Sequence, residues 1–194
     1  MSKILYLIPG FTESAKEERY SEITLFFKQK KFKIVPVEIR WKHRLMSDYV
    51  KEFFGQFTHH SVKDDIYLFG FSYGAMISYI VSAETEIKSQ FLCSLSPFFS
   101  EDLSKTRSWW KKLTGKKRLK EFENLKFNNL AQKVKCKTYL FAGTKEGPEV
   151  INRAKIANKK IHNSQLNFVD GGRHDVSQKI YIKKIKEILT NINI

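Results

Sequence analysis

The sequence predicts a single domain built on an open, mostly parallel α/β sheet of six strands, with helices on both faces. Three observations point there. Apolar, β-branched runs of strand length recur along the chain, and segments of helical period separate them, as in βα units that return each strand beside an earlier one. The 194 residues suit one domain at ~150 residues each, with room for one inserted segment. Hydrophobic residues make up 42% of the chain and aromatic residues 14%, enough to fill a core and too much for a disordered chain.

The elements follow in order. Residues 3–8 form the first strand, stopped by Pro9 and Gly10, and residues 18–28 form an amphipathic helix whose apolar members Ile23, Phe26 and Phe27 share one face. Residues 32–39 are the second strand. After a loop that holds Trp41 and His43, Ser47 serves as N-cap of a helix running to Phe57, and residues 65–69 make the third strand. The next helix covers residues 73–83. Residues 91–96 read as a strand stopped by Pro97, and residues 138–142 and 165–169 as the last two strands. The final helix spans residues 176–189. Between residues 98 and 129 the alternation breaks. There Trp109 and Trp110 lie in a stretch, residues 103–120, with eight Lys or Arg and no acid, which reads as a lid-like insertion in a single domain covering residues 1–194. No internal repeat and no Pro/Gly/Ser-rich linker marks a second domain.

Charge narrows the function classes. With 35 Lys and Arg against 20 Asp and Glu, the chain carries a net charge of +15, so its surface is strongly cationic. Such a surface suits nucleic acid, an anionic membrane surface or an anionic substrate, and it also arises as a plain solubility effect. No apolar run approaches the ~20 residues of a membrane span, and the run ending at Ile8 is too short for a secretion signal. Cys93 and Cys136 stand in or beside apolar runs without metal-ligand spacing, which leads to the expectation of free thiols in a cytoplasmic protein.

One motif carries chemistry. Gly70-Phe71-Ser72-Tyr73-Gly74 has the form G-x-S-x-G and stands where the third strand gives way to a helix. A sharp strand-to-helix turn forces the central residue toward positive φ and crowds its flanks, so glycines fit beside a serine that is lifted out. With Gly and Ser near ~7% usage, the bare motif arises in roughly one chain in fifteen of this length, so its weight comes from context. The context is an order of parts. The fifth strand leads into Gly143-Thr144-Lys145-Glu146, and the sixth into Gly171-Gly172-Arg173-His174-Asp175. Three parallel strands thereby deliver a serine, an acid and a histidine to one edge, where ligands of open α/β sheets bind. The first strand ends at Pro9-Gly10-Phe11-Thr12, whose backbone reaches the same edge.

With these loops the chain resembles the α/β-hydrolase superfamily, in a small serine esterase or thioesterase-like form, over nearly all of its length outside the insertion. The resemblance implies Ser72 as nucleophile, His174 as general base and then acid, and Glu146 orienting the imidazole, with the Phe11 and Tyr73 N–H groups as the oxyanion hole. Two features depart from the pattern: Pro9-Gly10 stands where many members have His-Gly, and Glu replaces the commoner Asp. Glu149 and Asp170 are alternative acids, while Asp175 reads as the N-cap of the last helix. His59, His60 and His162 precede their strands and so fall at the wrong edge; His43 falls at the correct edge but precedes Ser72.

An activated serine facing two N–H donors suits acyl transfer to water, so the expected substrate is a small carboxylic ester or thioester. No metal or dinucleotide motif is present, and no cofactor is implied. The insertion reads as a mobile, partly helical lid over the site. Trp109 and Trp110 would bind the acyl part, and the lysines would face solvent or an anionic leaving group such as coenzyme A. The competing reading is a hydrolase-like fold with an idle serine, binding nucleic acid or an anionic membrane through its basic face.

Overall fold

The computed structural model describes residues 2–57, 64–105 and 108–191, apart from the side chains at 108, 109 and 113. Six parallel strands form one sheet in the order β2-β1-β3-β4-β5-β6. They are β1 (Lys3–Ile8), β2 (Phe32–Pro36), β3 (Asp65–Phe71), β4 (Ser89–Cys93), β5 (Lys137–Gly143) and β6 (Ser164–Val169). Between and after them run α1 (Ser21–Gln29), α2 (Met46–Gln56), α3 (Tyr73–Glu84), α4 (Ser108–Thr114), α5 (Lys116–Asn124), α6 (Phe127–Ala131), α7 (Pro148–Lys160) and α8 (Lys179–Asn191). Parallel neighbours need crossovers, and the helices supply them on both faces. Among the described residues no helix is long and apolar enough to cross a membrane.

Period-two alternation sorts the strand side chains into two cores. Ile4, Tyr6, Ile8, Leu68, Leu92 and Leu140 face the layer that holds α2 and α3. Leu5, Leu7, Phe69, Phe91, Phe141 and Val169 face α1 and α8. Helix α3 is buried all round from Tyr73 to Ser82, as its apolar sequence requires for a helix beneath the centre of a sheet. The chain goes from β1 to β2 on one side and then to β3 on the other. That reversal opens a crevice at the carboxyl ends of β1 and β3, where ligands of such sheets sit.

Several boundaries differ from the sequence reading, each for a local reason. Residues 18–20 form a 3-10 turn before α1. β2 ends at Pro36 rather than Ile39, because the Glu38 and Arg40 N–H groups donate to Gln56 and Glu52 on α2 instead of a ladder. β4 ends at Cys93 rather than Ser96: Ser94 takes φ +52 and turns the chain three residues before Pro97. The last helix starts at Lys179, and Asp175 braces the preceding turn through Ser177 rather than capping the helix. Ser47 lies inside the first turn of α2 and is not its cap.

The true cap of α2 comes from α5, between β4 and β5. Glu121 on α5 accepts hydrogen bonds from the Met46 and Ser47 N–H groups at 2.6 and 2.9 Å, and Asp48 accepts from Leu45 N–H. A carboxylate there satisfies donors that have no intrahelical partner and opposes the positive end of the helix dipole. Arg118, three residues earlier, donates to the Arg44 and Trp41 carbonyls and to the Tyr49 hydroxyl. Glu101 works the same way on α6, accepting from Phe127 and Asn128 N–H. Burial pushes its carboxyl pKa up, but the Asn128 and Phe127 donors outweigh that and leave it below the ordinary value. We expect Glu121→Ala to destabilise the fold by about 1 kcal/mol, the usual worth of an N-cap, measured by urea unfolding at neutral pH; no change would mean that α5 does not cap α2.

Candidate active site

The centre of the site is a strained serine. Ser72 follows β3 with φ +56, a conformation that costs a non-glycine residue roughly 1–3 kcal/mol and persists only when its surroundings hold it. Its neighbours do so. A Cβ on Gly70 would lie 2.3 Å from the Gly74 carbonyl oxygen, and one on Gly74 would lie 2.2 Å from that of Ile8. Only bare backbone lets the first turn of α3 press against the end of β1 this closely. The Ser72 N–H donates to the Cys93 carbonyl at 2.9 Å, and the Ser72 carbonyl accepts the first bonds of α3 from Ala75 and Met76.

His174 and Glu146 meet this serine from two other strand ends. His174 Nε2 lies 2.9 Å from Ser72 Oγ, and His174 Nδ1 lies 2.8 Å from Glu146 Oε2. The Glu146 side chain is fully buried while that of His174 is 43% exposed, so the ring stands between a dry carboxylate and the crevice. Phe71 packs on the imidazole with ring centroids 5.1 Å apart. The two loops that carry these groups are bonded to each other: Thr144 N–H donates to the Val169 carbonyl and Lys145 N–H to that of Gly172. A Cβ on Gly143 would sit 2.2 Å from the Gly172 oxygen.

A buried carboxylate needs donors. Besides the imidazole, Glu146 accepts from Gly143 N–H at 2.6 Å and from Ser94 Oγ at 2.8 Å. The single Ser94 proton goes to the carboxylate, so the Tyr181 hydroxyl is the donor in its 2.9 Å contact with Ser94 Oγ, sharing its proton with the Phe141 carbonyl. Burial holds the Tyr181 phenol and the Cys93 thiol well above their ordinary pKa values, and the Glu146 charge adds to both effects. Both therefore stay neutral beside the carboxylate. Both cysteines are free and buried, and burial pushes Cys136 up to about 11.

Solved structures of other proteins share this architecture. Est1E from Butyrivibrio proteoclasticus superposes with a TM-score of 0.83 at 12% identity, over 98% of this chain and 86% of its own. Mouse alpha/beta hydrolase domain-containing protein 10 gives 0.77 at 11% identity, over 97% and 88%. The esterase PF2001 of Pyrococcus furiosus gives 0.71 at 16% identity, over 98% and 81%. The chain has the α/β-hydrolase fold. No family model matches it, and no curated protein does.

Within this α/β-hydrolase fold the other sequence candidates fall as follows. Asp170 is exposed and accepts from Thr144 Oγ1, and Glu149 lies in the first turn of α7, so Glu146 is the carboxylate at the ring. His43 and His162 are exposed and His59 and His60 lie outside the described residues. Phe11 and Tyr73 are neighbours, with ring centroids 4.9 Å apart. The Tyr73 N–H opens α3, where no intrahelical acceptor exists. Glu13 braces the loop bearing Phe11: it accepts from Gly10 N–H and the Tyr20 hydroxyl, pairs with Arg19, and its carbonyl accepts from Trp41 Nε1. Trp110 on α4 stacks on Phe98 at 4.0 Å, and Phe98 packs on Tyr73 at 5.4 Å. The Trp109 side chain lies outside the described residues. Among the described residues no cluster of His, Cys, Asp and Glu is arranged to hold a metal.

Ser94, Ser96 and Tyr181 escaped the sequence reading. The first two look like small residues at a strand end, and Tyr181 looks like one apolar position of an amphipathic helix. No pattern marks them, because their partners lie tens of residues away. We expect Ser94→Ala to cost about 1.5–3 kcal/mol in urea unfolding, since it strips one donor from a buried charge; a cost near zero would show that the carboxylate does not depend on it.

Proposed function

We propose that this chain is a serine hydrolase that cleaves a carboxylic ester or thioester through an acyl-enzyme. The observation that carries the reading is the run of hydrogen bonds from Glu146 through His174 to Ser72 at the crevice where strand order reverses. His174 Nε2 takes the Ser72 proton as Oγ bonds to the substrate carbonyl, and Glu146 holds the ring in the tautomer that leaves Nε2 free to accept. The Phe11 and Tyr73 N–H groups hold the oxyanion. The imidazolium then protonates the leaving group, and a water activated by the same nitrogen releases the acid. The neighbours support an ester substrate: two are named as esterases or related hydrolases, and Est1E is known with ferulic acid bound.

The inserted helices complete the reading as a lid. Trp110, Phe98 and Tyr73 form an apolar ledge beside Ser72 that suits the acyl group, while exposed Lys112, Lys116 and Lys117 and half-buried Lys111 offer positive charge to a leaving group. An anionic thiol ester such as an acyl-coenzyme A fits that charge better than a neutral ester.

Two experiments test this. Ser72→Ala and His174→Ala should each lower ester hydrolysis by about 10⁴-fold or more and abolish fluorophosphonate labelling of Ser72, and Glu146→Gln should lose up to about 10⁴-fold with the fold intact. Wild-type turnover in purified Ser72→Ala would overturn the reading. For the leaving group, one acyl chain is compared as a neutral ester and as a coenzyme A thioester. A kcat/KM advantage for the thioester at low salt should fade at high salt and in the combined variant Lys111→Gln, Lys112→Gln, Lys116→Gln, Lys117→Gln. If the advantage is absent, or survives the substitutions, the lysines do not read the leaving group.

A further inference from the structure

The serine-hydrolase reading leaves without a role a buried hydroxyl that touches Ser72 itself. Ser96 is 2% exposed, and its Oγ lies 3.1 Å from Ser72 Oγ. The direction of that bond follows from its neighbours. Glu146 accepts the Nδ1 proton of His174, so Nε2 of the neutral ring is an acceptor and takes the single Ser72 proton. Ser96 is left as the donor, and its proton points at a lone pair of the Ser72 oxygen. The backbone puts it there. Ser94 turns the chain at φ +52 just after β4, and the Ser72 N–H is bonded to the Cys93 carbonyl, so residues 94–96 pass beside the elbow. Two hydroxyls two residues apart thereby serve two members of the site, Ser94 on Glu146 and Ser96 on Ser72.

We infer that Ser96 is a further catalytic residue, whose hydroxyl stabilises the negative charge that Ser72 Oγ carries as the acyl-enzyme forms and breaks. The inference rests on the serine-hydrolase reading above. In acylation the Ser72 proton passes to His174 while Oγ bonds to the carbonyl carbon. In deacylation a water gives its proton to His174 and its oxygen bonds to that carbon. The C–Oγ bond then breaks with its electron pair moving to Oγ, and the imidazolium returns the proton there. A hydrogen bond to the charged oxygen is stronger than one to a neutral oxygen. In the acyl-enzyme itself Oγ is an ester oxygen and a poor acceptor. Ser96 therefore gains strength on the way to the transition state for deacylation, which is the condition for accelerating that step.

The test measures deacylation by single turnover of a p-nitrophenyl ester in Ser96→Ala, Ser96→Cys and Ser96→Thr. Ser96→Cys keeps the volume of the side chain and loses the strong donor, so it covers the case in which Ser96→Ala folds poorly. Deacylation should fall about tenfold or more in the Ala and Cys variants, as expected for a hydrogen bond to a charged group, and recover to within about threefold of wild type in Ser96→Thr. KM should not rise, and the midpoint of the pH profile of kcat/KM should stay where wild type has it, because Ser96 bonds the nucleophile rather than the imidazole. Deacylation within about twofold of wild type in the Ala and Cys variants, with Ser72→Ala inactive, overturns this inference and leaves the serine-hydrolase reading standing. So does a loss that Thr fails to rescue and that comes with a shifted pH midpoint, which marks a merely structural role. Wild-type turnover in Ser72→Ala overturns the reading on which the inference rests.

Discussion

A carboxylate with no access to water organises this molecule. Glu146 is ionic chemistry placed in a dry interior, and such a group is tolerated only where hydrogen bonds replace the water it has lost. Its donors come from separate strand ends: Gly143 N–H at the end of β5, Ser94 just past β4, and His174 in the loop after β6. Satisfying one side chain therefore fixes three loops relative to one another. The ring that results is held from behind and open in front, which is the arrangement a proton-accepting histidine needs.

Close backbone approach makes that arrangement reachable. The first turn of α3 touches β1 at Gly74, and the acid loop touches the histidine loop at Gly143, with no room for a Cβ at either place. These contacts shape a crevice at the edge of the twisted sheet, walled by main chain where the glycines lie and by aromatic side chains at Tyr73 and Phe98. Ser72 is strained in that crevice and is held by bonds on both sides of its own peptide. The strain falls on a buried residue, 9% exposed, whose Oγ lies between His174 Nε2 and Ser96 Oγ.

The helices between β4 and β5 are tied to the rest of the fold more closely than their basic composition suggests. Their basic residues are not uniformly solvated, for Arg118 donates to the loop after β2, and Glu121 caps α2. Aromatic packing continues inward from Trp110, stacked on Phe98, to Tyr73, which meets Phe98 at a tilt, so α4 reaches the first residue of α3 and the edge of the site. Charge on this segment thus divides between side chains that bolt it down and lysines that face outward.

Much of this was legible in the sequence, for reasons that are local. Continuous apolar runs disclosed the strands, because burial on both faces of a parallel sheet leaves no polar alternation, and G-x-S-x-G disclosed the elbow, because its glycines answer to crowding within five residues. The order serine, acid, histidine was legible because parallel strands deliver their loops to one edge whatever the register. Tertiary structure alone decided the rest. It decided that Glu146 rather than Glu149 or Asp170 stands at the ring, that Ser94 ends β4 before Pro97 is reached, that Glu121 caps a helix some seventy positions upstream, and that Ser96 leans on Ser72. Apart from the Ser94 turn, each of these is a hydrogen bond between groups distant in the chain, and its partner is selected by sheet register and loop closure, quantities that no short stretch of residues encodes.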